Sequence, residues 1–198
     1  MKKAITSKPS VFLDRDGVVN ENKPQGVTSL GHFNFIPGSL SALAKLKSKG
    51  LQTFVVTNQP YVSKGEMTAE ELDRINNYML KEVSNTGGFI TKVYTCSHSE
   101  DAECRCRKPN TALFEKSFRE FEIDPKDSWI VGDQLSDIQA GKSLGMYTIL
   151  VRTGEGQRAE KALSMDSKLK KPDYVVQDLR EAVNIIIERV KQKKANGD

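Results

Sequence analysis

Apolar residues fall into short runs separated by stretches of helical period, and this alternation repeats along most of the chain. Ser10-Val11-Phe12-Leu13 is a short apolar run that stops at Asp14. From Ser39 to Lys49, Leu40, Leu43, Ala44 and Leu46 share one helical face, and Gly50 supplies the stop. Thr53-Phe54-Val55-Val56 reads as a buried strand ending at Thr57. Thr68 followed by Glu71 is a capping box, opening a helix with Leu72, Ile75, Met79 and Val83 on its inner face. Further strands are predicted at residues 92–95, 129–131, 148–151 and 174–176, with helices at 111–121, 136–144 and 179–190. Short apolar strands alternating with amphipathic helices predict an α/β fold, a doubly wound and mostly parallel sheet covered on both faces. Residues 21–32 carry Gly, Pro and polar positions without periodicity and read as a long loop, a type of segment that often binds ligands.

At 198 residues the chain suits one domain, with a core at about 10–180, a cysteine-bearing loop at 96–106 and a basic tail at 191–198. Hydrophobic residues make up 37% and charged residues 28%, which argues against a disordered or membrane-embedded chain. The net charge of +4 favours anionic partners only weakly. Much of the excess lies in the tail around Lys191–Lys194, which reads as a solvated helix end, so nucleic acid is not an expected partner. The start, Met1-Lys2-Lys3-Ala4-Ile5-Thr6, is basic but has no apolar stretch of the secretory kind. A cytoplasmic monomer is the expectation.

The polar residues at the strand ends change the picture. Asp14, Thr57 and Asp133 each follow a predicted strand, and the carboxyl edge of an open parallel sheet is where ligands bind. Asp14 and Asp16 alternate on an extended backbone, so both side chains can face one site. One carboxylate can attack phosphorus while the other protonates the leaving oxygen, with the roles reversed when water hydrolyses the intermediate. Gly17 lets the backbone turn away with its amides towards a phosphate. Two carboxylates and a dianionic phosphate converge only around a cation, which points to Mg²⁺ with Asp133 as a further ligand. Asp137, beside Ser136, favours a helix N-terminus and is the second option for the metal. The Thr57 hydroxyl and the Lys108 ammonium can donate to phosphate oxygens.

This order of residues resembles the haloacid dehalogenase superfamily of phosphatases. Phe12-Leu13-Asp14-Arg15-Asp16-Gly17-Val18 is similar to its first motif, Thr57 to the second, Lys108 to the third, and Val131-Gly132-Asp133 with Asp137 to the fourth. The resemblance implies Asp14 as nucleophile, Asp16 as general acid/base, and Mg²⁺ bound by Asp14, the Asp16 carbonyl and Asp133.

All three cysteines and one of the two histidines lie in one short stretch, Cys96-x-His98-x₅-Cys104-x-Cys106. Three thiolates and an imidazole make a closed tetrahedral Zn²⁺ set, which reads as structural. Folding this loop on zinc would fix the adjacent Arg107 and Lys108. Together with Thr57-Asn58-Gln59 and Arg107-Lys108-Pro109, the set resembles the D-glycero-D-manno-heptose 1,7-bisphosphate phosphatases and the related histidinol-phosphate phosphatases. The segments 32–38 and 151–154 are similar to those of the heptose enzymes. The resemblance implies removal of the 7-phosphate of a sugar bisphosphate, with Arg107 and Lys108 touching phosphate. It also places Asn22, Lys23, Pro24 and Gln25, and Thr57, Asn58, Gln59 and Pro60, near the substrate. The short span between His98 and Cys104 is closer to the histidinol-phosphate enzymes, Pro60-Tyr61-Val62 departs from the usual turn, and Gln134 stands where a Lys is common. Histidinol phosphate or another small phosphorylated metabolite is therefore the alternative substrate.

Two readings of another class fit parts of the pattern. A phospho-receiver also combines a doubly wound sheet with acidic residues, Thr and Lys. Its accepting Asp usually sits on a middle strand, whereas the strands expected in the middle here end at Thr57 and Cys96. A zinc-based interaction module has no use for Asp14, Asp16 and Asp133 at the sheet edge.

Overall fold

A computed structural model of the chain describes residues 9–195, so the basic start at Met1–Thr6 and the end of the tail lie outside the described residues. Six strands form one sheet in the order β3-β2-β1-β4-β5-β6, and every pairing is parallel. The strands are β1 (Ser10–Leu13), β2 (Gln52–Asn58), β3 (Lys92–Cys96), β4 (Trp129–Gly132), β5 (Tyr147–Val151) and β6 (Tyr174–Val176). Helices α1 (Ser39–Ser48), α2 (Ala69–Asn85), α3 (Ala112–Phe121), α4 (Leu135–Ser143), α5 (Gly156–Met165) and α6 (Leu179–Ala195) supply the crossovers and the C-terminal cover.

The period of two in β1 separates the two faces. Val11 and Leu13 join one apolar cluster with Leu43 and Leu46 of α1, Ile75 and Met79 of α2, and Val183 and Ile186 of α6. Phe12, between them, points to the opposite cluster with Phe54, Phe114 of α3 and Ala140 of α4. Its ring stacks on Phe54 at 5.0 Å and meets Phe114 edge-on at 5.5 Å. A third, smaller cluster joins Ile138 and Leu150 to Ala159 and Leu163 of α5.

Local details differ from expectation at three places. In α1 the buried alanine is Ala42, and Ala44 is only half-buried. Thr68 accepts the Glu71 N–H at 3.1 Å, as a cap should. The Glu71 carboxylate, however, takes the Leu30 N–H at 2.9 Å and pairs with Arg74, tying the 21–32 loop to α2. Helix α5 has no counterpart among the predicted elements. Among the described residues no helix is long and apolar enough to cross a membrane.

The chain runs from β1 outward to β3, then crosses back to β4 on the other side of β1. The switch in winding direction therefore lies between β1 and β4, where a parallel sheet opens a crevice at its carboxyl edge. Asp14 and Asp133 are the residues that follow those two strands.

Candidate active site

Asp14 leaves β1 with its N–H still bonded to the Val131 carbonyl of β4, so the backbone holds the carboxylate over the crevice. Asp14 Oδ1 accepts the Arg15 N–H at 2.7 Å and lies 2.9 Å from Lys108 Nζ. That ammonium also contacts Asp137 Oδ1 at 2.6 Å and donates to the Val56 carbonyl at 2.8 Å. Burial pushes the Asp14 carboxyl up to about 6, against the opposing pull of Lys108. On Lys108 burial acts downward, but Asp137 and Asp14 outweigh it and hold the ammonium above its ordinary value. Asp133 is driven well above the usual carboxylate range, by burial first and then by the charges of Asp14 and Asp137.

Three buried carboxylates face one ammonium, an excess of negative charge that asks for a cation. Oxygens of Asp14, Asp133 and Asp137 lie within 4.8 Å of one another. Asp133 Oδ2 accepts the Glu155 N–H at 2.8 Å, while its Oδ1 is buried without a partner. An oxygen-only set with an unpartnered buried oxygen suits Mg²⁺. Asp137 has a double role: its Oδ2 accepts the Gln134 N–H at the start of α4, and its other oxygen faces Lys108. Gly17 and Gly154 close the far side. A Cβ on either would stand 2.1 Å from Asp133 Oδ2, and both residues have positive φ.

The Asp16 carboxylate is not part of that group. Its Oδ1 accepts from Arg15 Nε and Asn20 Nδ2, and its Oδ2 from Arg15 Nη2 and Gln59 Nε2. It faces a cavity of about 830 Å³, lined also by Asp14, Thr57, Asn58 and Lys108, a volume typical of small-ligand sites. The Thr57 hydroxyl oxygen accepts from Gln59 Nε2 at 3.0 Å, leaving its proton for an incoming oxygen.

The residues expected near a substrate divide. Asn22, Lys23 and Pro24 line the cavity, with Lys23 paired to Glu21 at 2.7 Å, whereas the exposed Gln25 does not. Asn58 lines it too, but its amide grips the Lys108 backbone on both sides, at 3.0 Å to the N–H and 3.2 Å to the carbonyl. Gln59 is wholly buried and directed at Asp16, and Pro60 is buried beside it, outside the lining. Arg107 pairs with Glu100 at 3.0 Å and is also outside the lining. Glu155 and Arg158, which sequence reasoning passed over, line the cavity together with Tyr61. Only Tyr61 had left a sign, as part of an unusual turn. Glu155 and Arg158 belong to the start of an unpredicted helix.

Cys96, His98, Cys104 and Cys106 do converge. Cys96 Sγ lies 3.6 Å from His98 Nδ1 and 3.7 Å from Cys104 Sγ. Cys106 Sγ lies 3.0 Å from Cys96 Sγ and 3.1 Å from His98 Nδ1. A tetrahedron with Zn–S bonds of about 2.3 Å has edges of about 3.8 Å, so the four atoms already outline a zinc site. Burial pushes the Cys96 thiol up to about 12, so a thiolate there needs a cation to hold it.

A family model described as HAD-hydrolase-like matches residues 105–182. A D-glycero-beta-D-manno-heptose-1,7-bisphosphate 7-phosphatase of Neisseria meningitidis is 33% identical over 148 residues, 75% of this chain and 79% of that protein. The enzyme of the same name from Pasteurella multocida is 31% identical over 186 residues, covering 90% and 97%. The crystal structure of the D,D-heptose 1,7-bisphosphate phosphatase of B. bronchiseptica, complexed with magnesium and phosphate, superimposes with a TM-score of 0.85. It is 30% identical, and the match covers 91% of this chain and 99% of that one.

Proposed function

The chain belongs to the D-glycero-beta-D-manno-heptose-1,7-bisphosphate 7-phosphatase family of haloacid dehalogenase-like hydrolases, and from that premise we propose that it removes the 7-phosphate of a heptose 1,7-bisphosphate through an aspartyl phosphate on Asp14. The observation that carries the reading is the meeting of Asp14, Asp133, Asp137 and Lys108 beside a cavity that Asp14, Asp16 and Lys108 line.

In this reading an Asp14 oxygen bonds to phosphorus as the bond to the ester oxygen breaks, and Asp16 gives that oxygen its proton. Asp16, now ionised, takes a proton from the water that splits the acyl phosphate, which restores both carboxyl groups. Lys108 and the Thr57 hydroxyl draw negative charge from the transferred oxygens. Asp14, Asp133 and the Asp16 carbonyl, with Asp137 behind them, would hold Mg²⁺. Bound there, the ion neutralises the charge of nucleophile and phosphate as they approach. Asn22, Lys23 and Pro24 would meet the sugar or its second phosphate. Arg107 would join them by exchanging Glu100 for phosphate, and Gln59 serves Asp16. A monomer working in the cytoplasm is part of the same proposal.

The test is phosphate release with Mg²⁺ from heptose bisphosphate in both anomers, histidinol phosphate, other sugar phosphates and a 3′-phosphorylated oligonucleotide. The expected result is a kcat/KM for heptose bisphosphate far above the rest. Preference for histidinol phosphate would keep the mechanism and replace the substrate. The short His98–Cys104 span favours that second reading.

A further inference from the structure

Arg15 lies between two carboxylates that do chemistry, yet its own side chain is fully buried and turned away from the cavity lining. A buried guanidinium costs stability relative to a well-packed apolar residue unless its donors are matched. Here they are. Nε and Nη2 fork onto the two oxygens of Asp16, each at 3.1 Å, and Nη1 donates to Asn76 Oδ1 at 3.1 Å. A planar fork fixes the plane of the carboxylate it holds, which a single ammonium cannot do. Asn76 is nearly buried on α2, the helix whose Ile75 and Met79 pack into the core beneath the sheet. Asn20 and Gln59 complete the cradle at 2.8 and 2.6 Å.

We propose that Arg15 and Asn76 are positioning residues for the acid/base step: α2 sets Asn76, Asn76 sets the guanidinium, and the guanidinium aims the Asp16 carboxyl at the leaving oxygen. This rests on the reading of Asp16 as the acid/base. Neither side chain lines the cavity, so the effect expected of each is on proton delivery through Asp16.

The experiment compares kcat/KM, which reports only the steps up to departure of the leaving group, for two esters with Mg²⁺ present. One is the alkyl phosphate that the protein turns over fastest, whose alkoxide needs a proton. The other is p-nitrophenyl phosphate, whose phenolate hardly does. Asn76→Ala and Arg15→Lys are each expected to lower the alkyl-ester value about 10-fold or more, with the nitrophenyl value down no more than about threefold, and Asp16→Asn to lower the alkyl-ester value by about 10²–10⁴-fold and the nitrophenyl value by a much smaller factor. Arg15→Lys keeps the charge but not the fork, so it carries the test if Asn76→Ala folds poorly. Equal losses on both esters, or none, in both variants while Asp16→Asn remains ester-selective would overturn the positioning role alone. Loss of ester selectivity in Asp16→Asn itself would overturn the acid/base reading and this inference with it.

Discussion

Two polar centres stand near the carboxyl edge of the same sheet, one beyond β1 and β4 and the other beyond β3, and each gathers groups that call for a metal. The carboxylate centre is buried, carries unbalanced charge and opens on a large cavity that Asp14 lines. The thiol centre closes on itself, and none of its four side chains lines the cavity. An open set leaves room at the metal for a reacting oxygen, while a closed set spends all its positions on the fold. The two are linked by short paths. The Cys96 carbonyl accepts the Gln59 N–H at 2.7 Å, and Gln59 holds Asp16. Cys106 stands two residues before Lys108, whose ammonium meets Asp14. The closed centre thus acts on the reaction only through the position of groups in the open one.

The largest effect should come from the open centre. Asp14→Asn is expected to lower kcat by roughly 10⁴-fold or more, the scale on which loss of a nucleophile acts. Near-ultraviolet dichroism should stay unchanged; substantial phosphate release from that variant would remove Asp14 from its role. Next is the closed centre. Stripping zinc and restoring Mg²⁺ should still leave activity reduced about 10-fold or more and lower Tm, because a structural zinc contributes roughly 10–16 kcal/mol to ordering such a segment. Full turnover in a verified zinc-free protein would separate the two centres.

The third effect is one of pH. With the Asp14 carboxyl raised by burial to about 6, its protonated form contributes stability that is fully present below about 3.8 and lost as pH rises through about 6. That amounts to about 3 kcal/mol in the metal-free protein. Mg²⁺ favours the ionised form, so its thermal stabilisation should be larger at pH 7.5 than at pH 5. Equal shifts at both would mean that Asp14 does not meet the ion. The smallest effect belongs between the centres. Glu100→Gln frees Arg107 from an exposed ion pair worth at most about 1 kcal/mol, so KM is expected to fall by about two- to fivefold. An unchanged KM would leave Arg107 without a phosphate role.

Much of this was legible in the sequence. Asp14 and Asp133 could be placed because a strand's apolar run ends abruptly at a carboxylate, and the Cys/His spacing is a local signal. Arg15, Asn76 and Gln59 were opaque for the opposite reason. Arg15 and Asn76 are 61 positions apart, and Gln59 and Asp16 are 43 apart, so no local pattern announces their bonds. Sequence similarity puts Gln59 beside the substrate, and only the folded arrangement turns its amide to Asp16. Helix α5 is short and mostly polar, with Ala159 and Leu163 as its buried apolar residues, so it lacked the apolar weight that marked the other helices. Ala42 joins the core cluster while Ala44 stays half-buried, a difference set by tertiary packing that a helical period alone does not carry.

Gly17 and Gly154 come from opposite ends of the chain and crowd the same Asp133 oxygen, each in a backbone conformation that side chains rarely adopt. Evolution therefore has no side chain to vary on that wall: any substitution at either position meets a carboxylate before it meets a ligand. Changes of substrate in such a scaffold are channelled to the rim, to Asn22, Lys23, Tyr61 and Arg158, where a new side chain alters the visitor without disturbing the floor.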